Sequence, residues 1–171
     1  GNPPFQLEDG GRGASSTPIY QRFVRKARDL KPRYMSFVVP ARWFGGGKGL
    51  DDFRAEMIAD RSISHLVDYP KLFECFPGVE VKGGICYFLW DSQHDGDCKV
   101  TTIIDGEEIS EAVRDLRDGD GVLIRSNEAV SILDKVREKG EENLAGQVSA
   151  RKPFGLPSNY RGDTKTARRS V

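Results

Sequence analysis

YMSFVV, at residues 34–39, is a short and nearly continuous apolar run that ends at Pro40. Such a run is typical of a strand that is buried on both faces of a parallel sheet. An amphipathic helix is predicted before it, from about Pro18 to Leu30, and a second helix after it, near residues 50–59. The order helix, strand, helix indicates an α/β fold.

Both predicted helices have an apolar face, and further strands are predicted at residues 63–69 and 79–90, the latter interrupted at Gly83-Gly84. Beyond residue 95 the chain is more polar, and we predict a strand at 100–104 with a turn at Asp105-Gly106. A short helix near 109–116, a strand at 122–125 and a helix at 127–139 complete a small α+β segment. We therefore divide the chain into residues 1–95 and 96–171. The residues expected to face the core are Ile19, Phe23, Ala27 and Leu30 in the first helix, and Phe53, Met57 and Ile58 in the second.

The composition excludes two classes of protein. Of the 171 residues 37% are apolar and 30% are charged, and the longest apolar run is ICYFLW at residues 85–90. This run is too short to span a membrane, and the apolar content is too high for a disordered chain. We expect a globular protein without a membrane partner.

The net charge is zero, but the charges are unevenly distributed. Residues 12–54 contain ten basic and three acidic side chains, and residues 151–171 contain six basic and one acidic. Residues 91–120 contain three basic and ten acidic side chains. A polyanion held between the two basic segments would explain this pattern, and so would an ordinary solvated surface of mixed charge.

The cysteines Cys75, Cys86 and Cys98 fit no zinc-site spacing, and only His65 and His94 offer imidazole ligands. We predict no metal site. An odd number of cysteines without a signal peptide is typical of a reduced, cytoplasmic protein. The sequence also begins without methionine, so we expect it to be part of a longer chain.

The motif Asn-Pro-Pro-Phe at residues 2–5 carries the most specific chemistry. The side-chain amide oxygen of Asn2 and the backbone carbonyl of Pro3 can both accept hydrogen bonds in a corner that Pro4 makes rigid. A ligand amine with two hydrogens suits this pair, and Phe5 can stack on the ring that carries the amine. The alternative is a turn that arose by chance.

This tetrapeptide resembles the catalytic motif of the DNA methyltransferases that modify amino groups. VVPARWF, at residues 38–44, resembles the segment that follows it in the adenine-specific, gamma-type branch found in restriction-modification systems. VDY at 67–69, CFPGVEV at 75–81 and GGICYFLW at 83–90 resemble a later block of the same branch. In that block, Phe76 corresponds to an aromatic residue that contacts the target base. The alternative is that Phe76 is an ordinary core residue.

The resemblance implies that residues 1–95 are the C-terminal half of a Rossmann-like methyltransferase sheet. Its function would be to transfer a methyl group from S-adenosylmethionine to the N6 atom of an adenine flipped out of double-stranded DNA. Asn2 and Pro3 would hold the amine, Pro4 and Phe5 would complete the catalytic motif, and Phe5 and Phe76 would contact the base. The loop that binds S-adenosylmethionine is expected in an upstream part of the same methyltransferase, so this chain alone is expected to be inactive.

SARKPFGLPSNYRG, at residues 149–162, is similar to the segment that opens the target-recognition region of these enzymes. Residues 96–171 would then be a linker and the start of that region. Arg151, Lys152 and Arg161 would bind DNA there, and Arg42 and Lys48 would lie near DNA phosphates. Two alternatives are a basic surface loop at 149–162 and, for the whole chain, a non-catalytic α/β module for nucleic-acid binding or assembly.

Overall fold

The computed structural model describes residues 1–6, 17–71, 83–119 and 121–141. The chain divides into two compact units, Gly1–Asp134 and Lys135–Val171. In the second unit the described residues, 135–141, comprise the end of a helix and a turn. All strands described below belong to the first unit.

The first unit is built on a five-stranded mixed sheet with the strand order β1-β3-β2-β4-β5. β2 pairs in parallel with β4, and the other three pairs are antiparallel. The sheet crosses residue 95, since β2 precedes it and β4 follows it. The strands are β1 (Tyr34–Pro40), β2 (Ile63–Tyr69), β3 (Ile85–Asp91), β4 (Cys98–Ile104) and β5 (Glu107–Arg114).

Within the described residues, three α-helices and two short 3₁₀ helices accompany the sheet, which confirms the α/β fold class. The α-helices are α1 (Tyr20–Asp29), α2 (Asp51–Ala59) and α3 (Asn127–Arg137), and the 3₁₀ helices are η1 (Ala41–Phe44) and η2 (Leu116–Gly119). None of the described helices is both long enough and apolar enough to cross a membrane.

β1 has different partners on its two sides. It pairs antiparallel with β3, whereas the predicted environment was a parallel sheet. On the other side, the Gly1 amino group donates a hydrogen bond to the Ser36 carbonyl (2.5 Å), and the Val38 amide donates one to the Gly1 carbonyl (2.9 Å). These two bonds have the parallel pattern. Tyr34 and Ser36 are exposed, so the first half of the strand is not buried on both faces as predicted.

α1 is rotated relative to the prediction. Phe23 and Leu30, expected in the core, are 44% and 83% exposed, whereas Tyr20 and Val24 are buried. Both pairs fit a helical period, but the Tyr20 ring packs edge-on against Phe53 with ring centroids 5.9 Å apart. The face of α1 that carries Tyr20 and Val24 therefore points inward. In α2 the predicted core residues, which are Phe53, Met57 and Ile58, are all buried.

The predicted short helix near residues 109–116 is wrong, because residues 107–114 form β5. Asp105 and Gly106 both have positive φ, of 56° and 79°, which suits a tight hairpin turn between β4 and β5. Alternate residues of β5 then lie toward the protein, with Arg114 buried. The segment at 122–125, predicted as a strand, is irregular.

Candidate functional site

One edge of the sheet brings several chain ends together. β1, β2 and β4 run in the same direction, so their carboxyl ends meet at one edge with the first residues of β3 and β5. We call this the carboxyl edge. Ligands of open α/β sheets bind outside the carboxyl ends of the parallel strands, so this edge is where a site is expected.

The Asn-Pro-Pro-Phe motif runs toward the carboxyl edge. Gly1 is paired in parallel with β1 at the level of Phe37, so the residues that follow Gly1 continue in the direction of β1. At the other end of the motif, the Ile19 amide donates a hydrogen bond to the Phe5 carbonyl (3.2 Å). Gln6 forms an isolated antiparallel bridge with Pro18. Backbone hydrogen bonds thus hold the motif on both sides.

Within the motif the side chains differ in exposure. Pro3 is buried, Phe5 is half-buried, and Asn2 and Pro4 are exposed. In the described part of the chain, no hydrogen bond engages the Asn2 side chain. Its amide can therefore accept and donate hydrogen bonds to a ligand, and the anchored backbone restricts where that amide can lie.

η1 follows β1 directly and lies at the same edge. The Ala41 amide donates a hydrogen bond to the Gly84 carbonyl (3.0 Å), which joins η1 to the residue before β3. Trp43 is fully buried and packs edge-on against Phe44, with ring centroids 4.7 Å apart. Between these anchored residues, the Arg42 side chain is exposed and forms no ion pair with any described residue.

Lys48 lies in the glycine-rich loop between η1 and α2 and is also exposed. It has a positive φ of 52°, and no described residue forms an ion pair with it. The loop is tied to α2, since Arg54 donates a hydrogen bond to the Gly45 carbonyl (2.7 Å) and the Gly47 amide donates one to Asp51 (3.1 Å). Two unpaired cations therefore lie on short segments after β1.

An ion pair with a buried carboxylate at the carboxyl edge was not predicted. Asp68, near the end of β2, is 1% exposed. Arg125 Nε lies 2.5 Å from Asp68 Oδ2, and Arg125 Nη2 lies 2.7 Å from Asp68 Oδ1. Burial raises the pKa of the Asp68 carboxyl, and the hydrogen bonds from Arg125 oppose that rise. An aspartate within the apolar strand ISHLVDY was the available signal, but nothing in the sequence identified its partner 57 residues away.

The remaining predicted site residues lie outside the described residues. These are Phe76, Arg151, Lys152 and Arg161. Among the described residues, no group of three or more His, Cys, Asp or Glu side chains could hold a metal ion. Cys86 and Cys98 are buried thiols, and burial raises the pKa of both.

Comparison with known proteins finds a family model and a curated protein to which part of this chain is similar. Residues 1–76 match the family model of the Eco57I restriction-modification methylases. An uncharacterised adenine-specific methylase of Mycoplasma pneumoniae is 36% identical over 107 residues, which are 60% of this chain and 25% of that protein. The chain thus spans about a quarter of the length of its curated relative.

Solved structures show weaker likeness. A type I restriction-modification methyltransferase subunit of Streptococcus thermophilus is 12% identical, with a TM-score of 0.39 over 83% of this chain and 31% of that chain. A DrdV–DNA complex is 21% identical, with a TM-score of 0.34 over 77% of this chain and 12% of that chain. Both TM-scores are too low for any inference. The sequence comparisons confirm the resemblance to adenine-specific restriction-modification methylases, and residues 1–76 are the part of this chain that is similar to the Eco57I restriction-modification methylases.

Proposed function

We propose that this chain supplies the target-base part of a DNA adenine-N6 methyltransferase of a restriction-modification system. The observation that carries the proposal is the setting of Asn2: the residue is exposed on a segment that runs toward the carboxyl edge, and the backbone on both sides of the motif is anchored. Residues 1–95 would be the end of the catalytic domain, and residues 96–171 a linker and the start of the target-recognition region. We place the protein in the cytoplasm, where it reaches DNA.

The chemistry follows from the donors and acceptors of the motif. The Asn2 amide oxygen and the Pro3 carbonyl accept the two hydrogens of the adenine amine, which directs the nitrogen lone pair away from them. Phe5 stacks on the flipped base, and Phe76 packs against it. These interactions strengthen as positive charge develops on the amine, so they lower the barrier rather than merely bind the base.

The methyl group would come from S-adenosylmethionine, whose sulfonium carries a methyl group that an amine can attack. The acceptor pair of Asn2 and Pro3 suits a nucleobase amine. In the family that the motif resembles, a glycine-rich loop and an acidic residue that precede the motif hold the cofactor. We therefore place them in an upstream part of the same methyltransferase. This chain alone is then expected not to methylate DNA.

The DNA backbone would be bound by the basic residues. Arg42 and Lys48 are exposed and unpaired within the described residues, as phosphate-binding side chains must be before they meet DNA. Arg151, Lys152 and Arg161 would make similar contacts in the target-recognition region. Phosphate contacts of this kind position the duplex, whereas base contacts read its sequence.

The substitution Asn2→Ala in the full-length methyltransferase tests the proposal. Loss of a hydrogen bond that strengthens in the transition state costs about 3 to 4 kcal/mol, so we expect the rate constant of methyl transfer to fall by roughly a hundredfold to a thousandfold. The affinity for S-adenosylmethionine should remain unchanged. The measurement is single-turnover methylation with a tritiated cofactor, together with calorimetry of cofactor binding.

Gln93→Ala is the matched control, because Gln93 is an exposed amide in the turn after β3, at the opposite edge of the sheet. This variant should retain full turnover. If Asn2→Ala also retained it, the chain would instead fit the alternative of a non-catalytic module for nucleic-acid binding or assembly.

A further inference from the structure

Arg125 contacts three separate segments at the carboxyl edge. Its guanidinium binds both carboxylate oxygens of Asp68, and its Nη2 also donates a hydrogen bond to the Gly83 carbonyl (2.6 Å). The same guanidinium lies over the Phe44 ring, with its Cζ atom 5.4 Å from the ring centroid. One side chain thus joins the end of β2, the start of β3 and the end of η1.

η1 is held at both of its ends by residues next to these contacts. At its first residue, the Ala41 amide is bonded to the carbonyl of Gly84, which follows Gly83. At its last residue, the Phe44 carbonyl accepts a hydrogen bond from the Leu123 amide (3.1 Å), two residues before Arg125. Removing the Arg125 contacts would therefore loosen both attachments of η1 at once.

The Asp68–Arg125 pair is rigid for physical reasons. Asp68 is almost completely buried, so its carboxylate has lost its hydrating water. The ion pair with Arg125 offsets the free-energy cost of that desolvation. The planar guanidinium makes the two parallel hydrogen bonds to the carboxylate that restrict its orientation. The remaining contacts of Arg125, with Gly83 and Phe44, are thereby also fixed.

Arg42 lies inside the turn that these contacts hold. Its side chain is exposed, and within the described residues it has no ionic partner that would direct it. The backbone of η1 therefore fixes the point from which the Arg42 side chain extends, and so the region that its charge can reach. An anion bound at the carboxyl edge would meet Arg42 only while η1 keeps this position.

We propose that Arg125 is a positioning residue for DNA binding, which fixes η1 so that Arg42 meets a DNA phosphate. The inference rests on the proposed function, because that function supplies the phosphate contact of Arg42. Arg125 itself is occupied by Asp68 and Gly83 and does not contact DNA in this arrangement.

The first test needs no DNA and uses the 171-residue chain. Arg125→Gln removes the charge and the paired hydrogen bonds, and we expect hydrogen exchange at the Ala41 and Leu123 amides to become at least tenfold faster. Arg125→Lys, which keeps the charge opposite Asp68, provides a second variant if Arg125→Gln does not fold. It should have a smaller effect than Arg125→Gln because it keeps the charge, but some acceleration should remain because lysine lacks the planar pair of donors.

The matched control is Arg28→Gln. Arg28 pairs with Asp60 at the opposite edge of the sheet (3.2 Å), and this pair is also largely buried. It should lower the overall stability without a selective effect on Ala41 and Leu123. The proposed role would be overturned if Arg28→Gln and Arg125→Gln accelerated exchange at Ala41 and Leu123 equally. It would also be overturned if neither Arg125→Gln nor Arg125→Lys accelerated this exchange.

The second test measures binding of a labelled duplex by fluorescence anisotropy over a range of salt concentrations. Loss of one phosphate contact reduces the slope of log K against log salt by up to about 0.9. We expect Arg42→Ala to reduce the slope by this amount, Arg125→Gln to reduce it similarly, and the double variant to match Arg42→Ala alone. Arg28→Gln should leave the slope unchanged.

The outcomes separate the inference from the function on which it rests. Additive losses in the double variant would mean that Arg125 contacts DNA itself, which overturns the positioning role. The positioning role would also be overturned if Arg42→Ala changed the slope of log K against log salt and Arg125→Gln did not. If Arg42→Ala has no effect, the proposed phosphate contact fails, and with it the role of Arg125 in DNA binding; the amide exchange would still decide whether Arg125 holds η1.

Discussion

Gly84→Ala probes how closely the strands approach each other at the carboxyl edge. Gly84 has a φ of +78°, and a Cβ atom added there would lie 2.1 Å from the Tyr69 carbonyl oxygen and 2.8 Å from that of Pro70. Both obstructing atoms belong to the backbone, so no side chain can rotate to make room. The end of β2 and the start of β3 would have to separate.

The expected cost has two parts. The left-handed conformation costs alanine about 1 to 2 kcal/mol. Separation of the strands weakens the hydrogen bond from the Ala41 amide to Gly84, which is worth about 0.5 to 1.5 kcal/mol, and disturbs the packing around it. With a small contribution from the disturbed packing, we expect a total loss of about 2 to 4 kcal/mol in the free energy of unfolding, a large fraction of the stability of a typical domain.

Gly106→Ala is the matched control for this substitution. Gly106 has nearly the same φ, +79°, but among the described residues no atom lies within 4 Å of an added Cβ. Gly106→Ala should therefore lower the free energy of unfolding only by the conformational cost, about 1 to 2 kcal/mol. Urea denaturation followed by circular dichroism measures both variants, and equal losses would refute the close approach as the cause.

Acid and thiol reagents test two further features of the described structure. The Asp115–Arg117 ion pair (2.5 Å) lowers the pKa of Asp115 from 3.8 to about 2. The pair therefore stabilises the fold above pH 3.8, and this stabilisation is lost as the pH falls toward 2. Measured by thermal unfolding, Asp115→Asn should lose less stability than the parent over this interval. Parallel curves of stability against pH for the two proteins would contradict the assignment. Cys86 is fully buried and burial raises the pKa of its thiol, as it raises that of Cys98 to about 12. We expect maleimide to label both only as urea unfolds the chain, measured by peptide mass spectrometry, whereas labelling of Cys86 in the native state would show that it is accessible.

Local patterns predicted the elements better than they predicted the packing of those elements. The bounds of β2 and the core face of α2 are correct because their apolar residues match one period without a competing pattern. In α1, Phe23 and Tyr20 belong to two different apolar stripes, and the tertiary packing of Tyr20 and Val24 in the core distinguishes them. β5 has a helix-compatible composition, and its strand conformation depends on pairing with β4.

The motif and the ion pair show the same contrast at the candidate site. Asn2 and its neighbours are consecutive in sequence, so their chemistry is apparent from the residues alone. Asp68 and Arg125 become partners only through the order of the strands and the path of the chain after η2. A charged residue within an apolar strand indicates a buried partner, but the sequence does not specify which of 26 basic residues it is.

The segment that matches the family model is not sufficient to hold the candidate site. The family match ends at residue 76, whereas β1 and β2 both pair with β3, which begins at Ile85. The partners of the Ala41 amide and the Phe44 carbonyl, Gly84 and Leu123, also lie beyond the match. A chain cut after residue 76 would leave these groups without their partners, at about 1 to 3 kcal/mol for each one that stays buried. Because Gly1 is paired with β1, the placement of Asn2 depends on residues that the family match does not include.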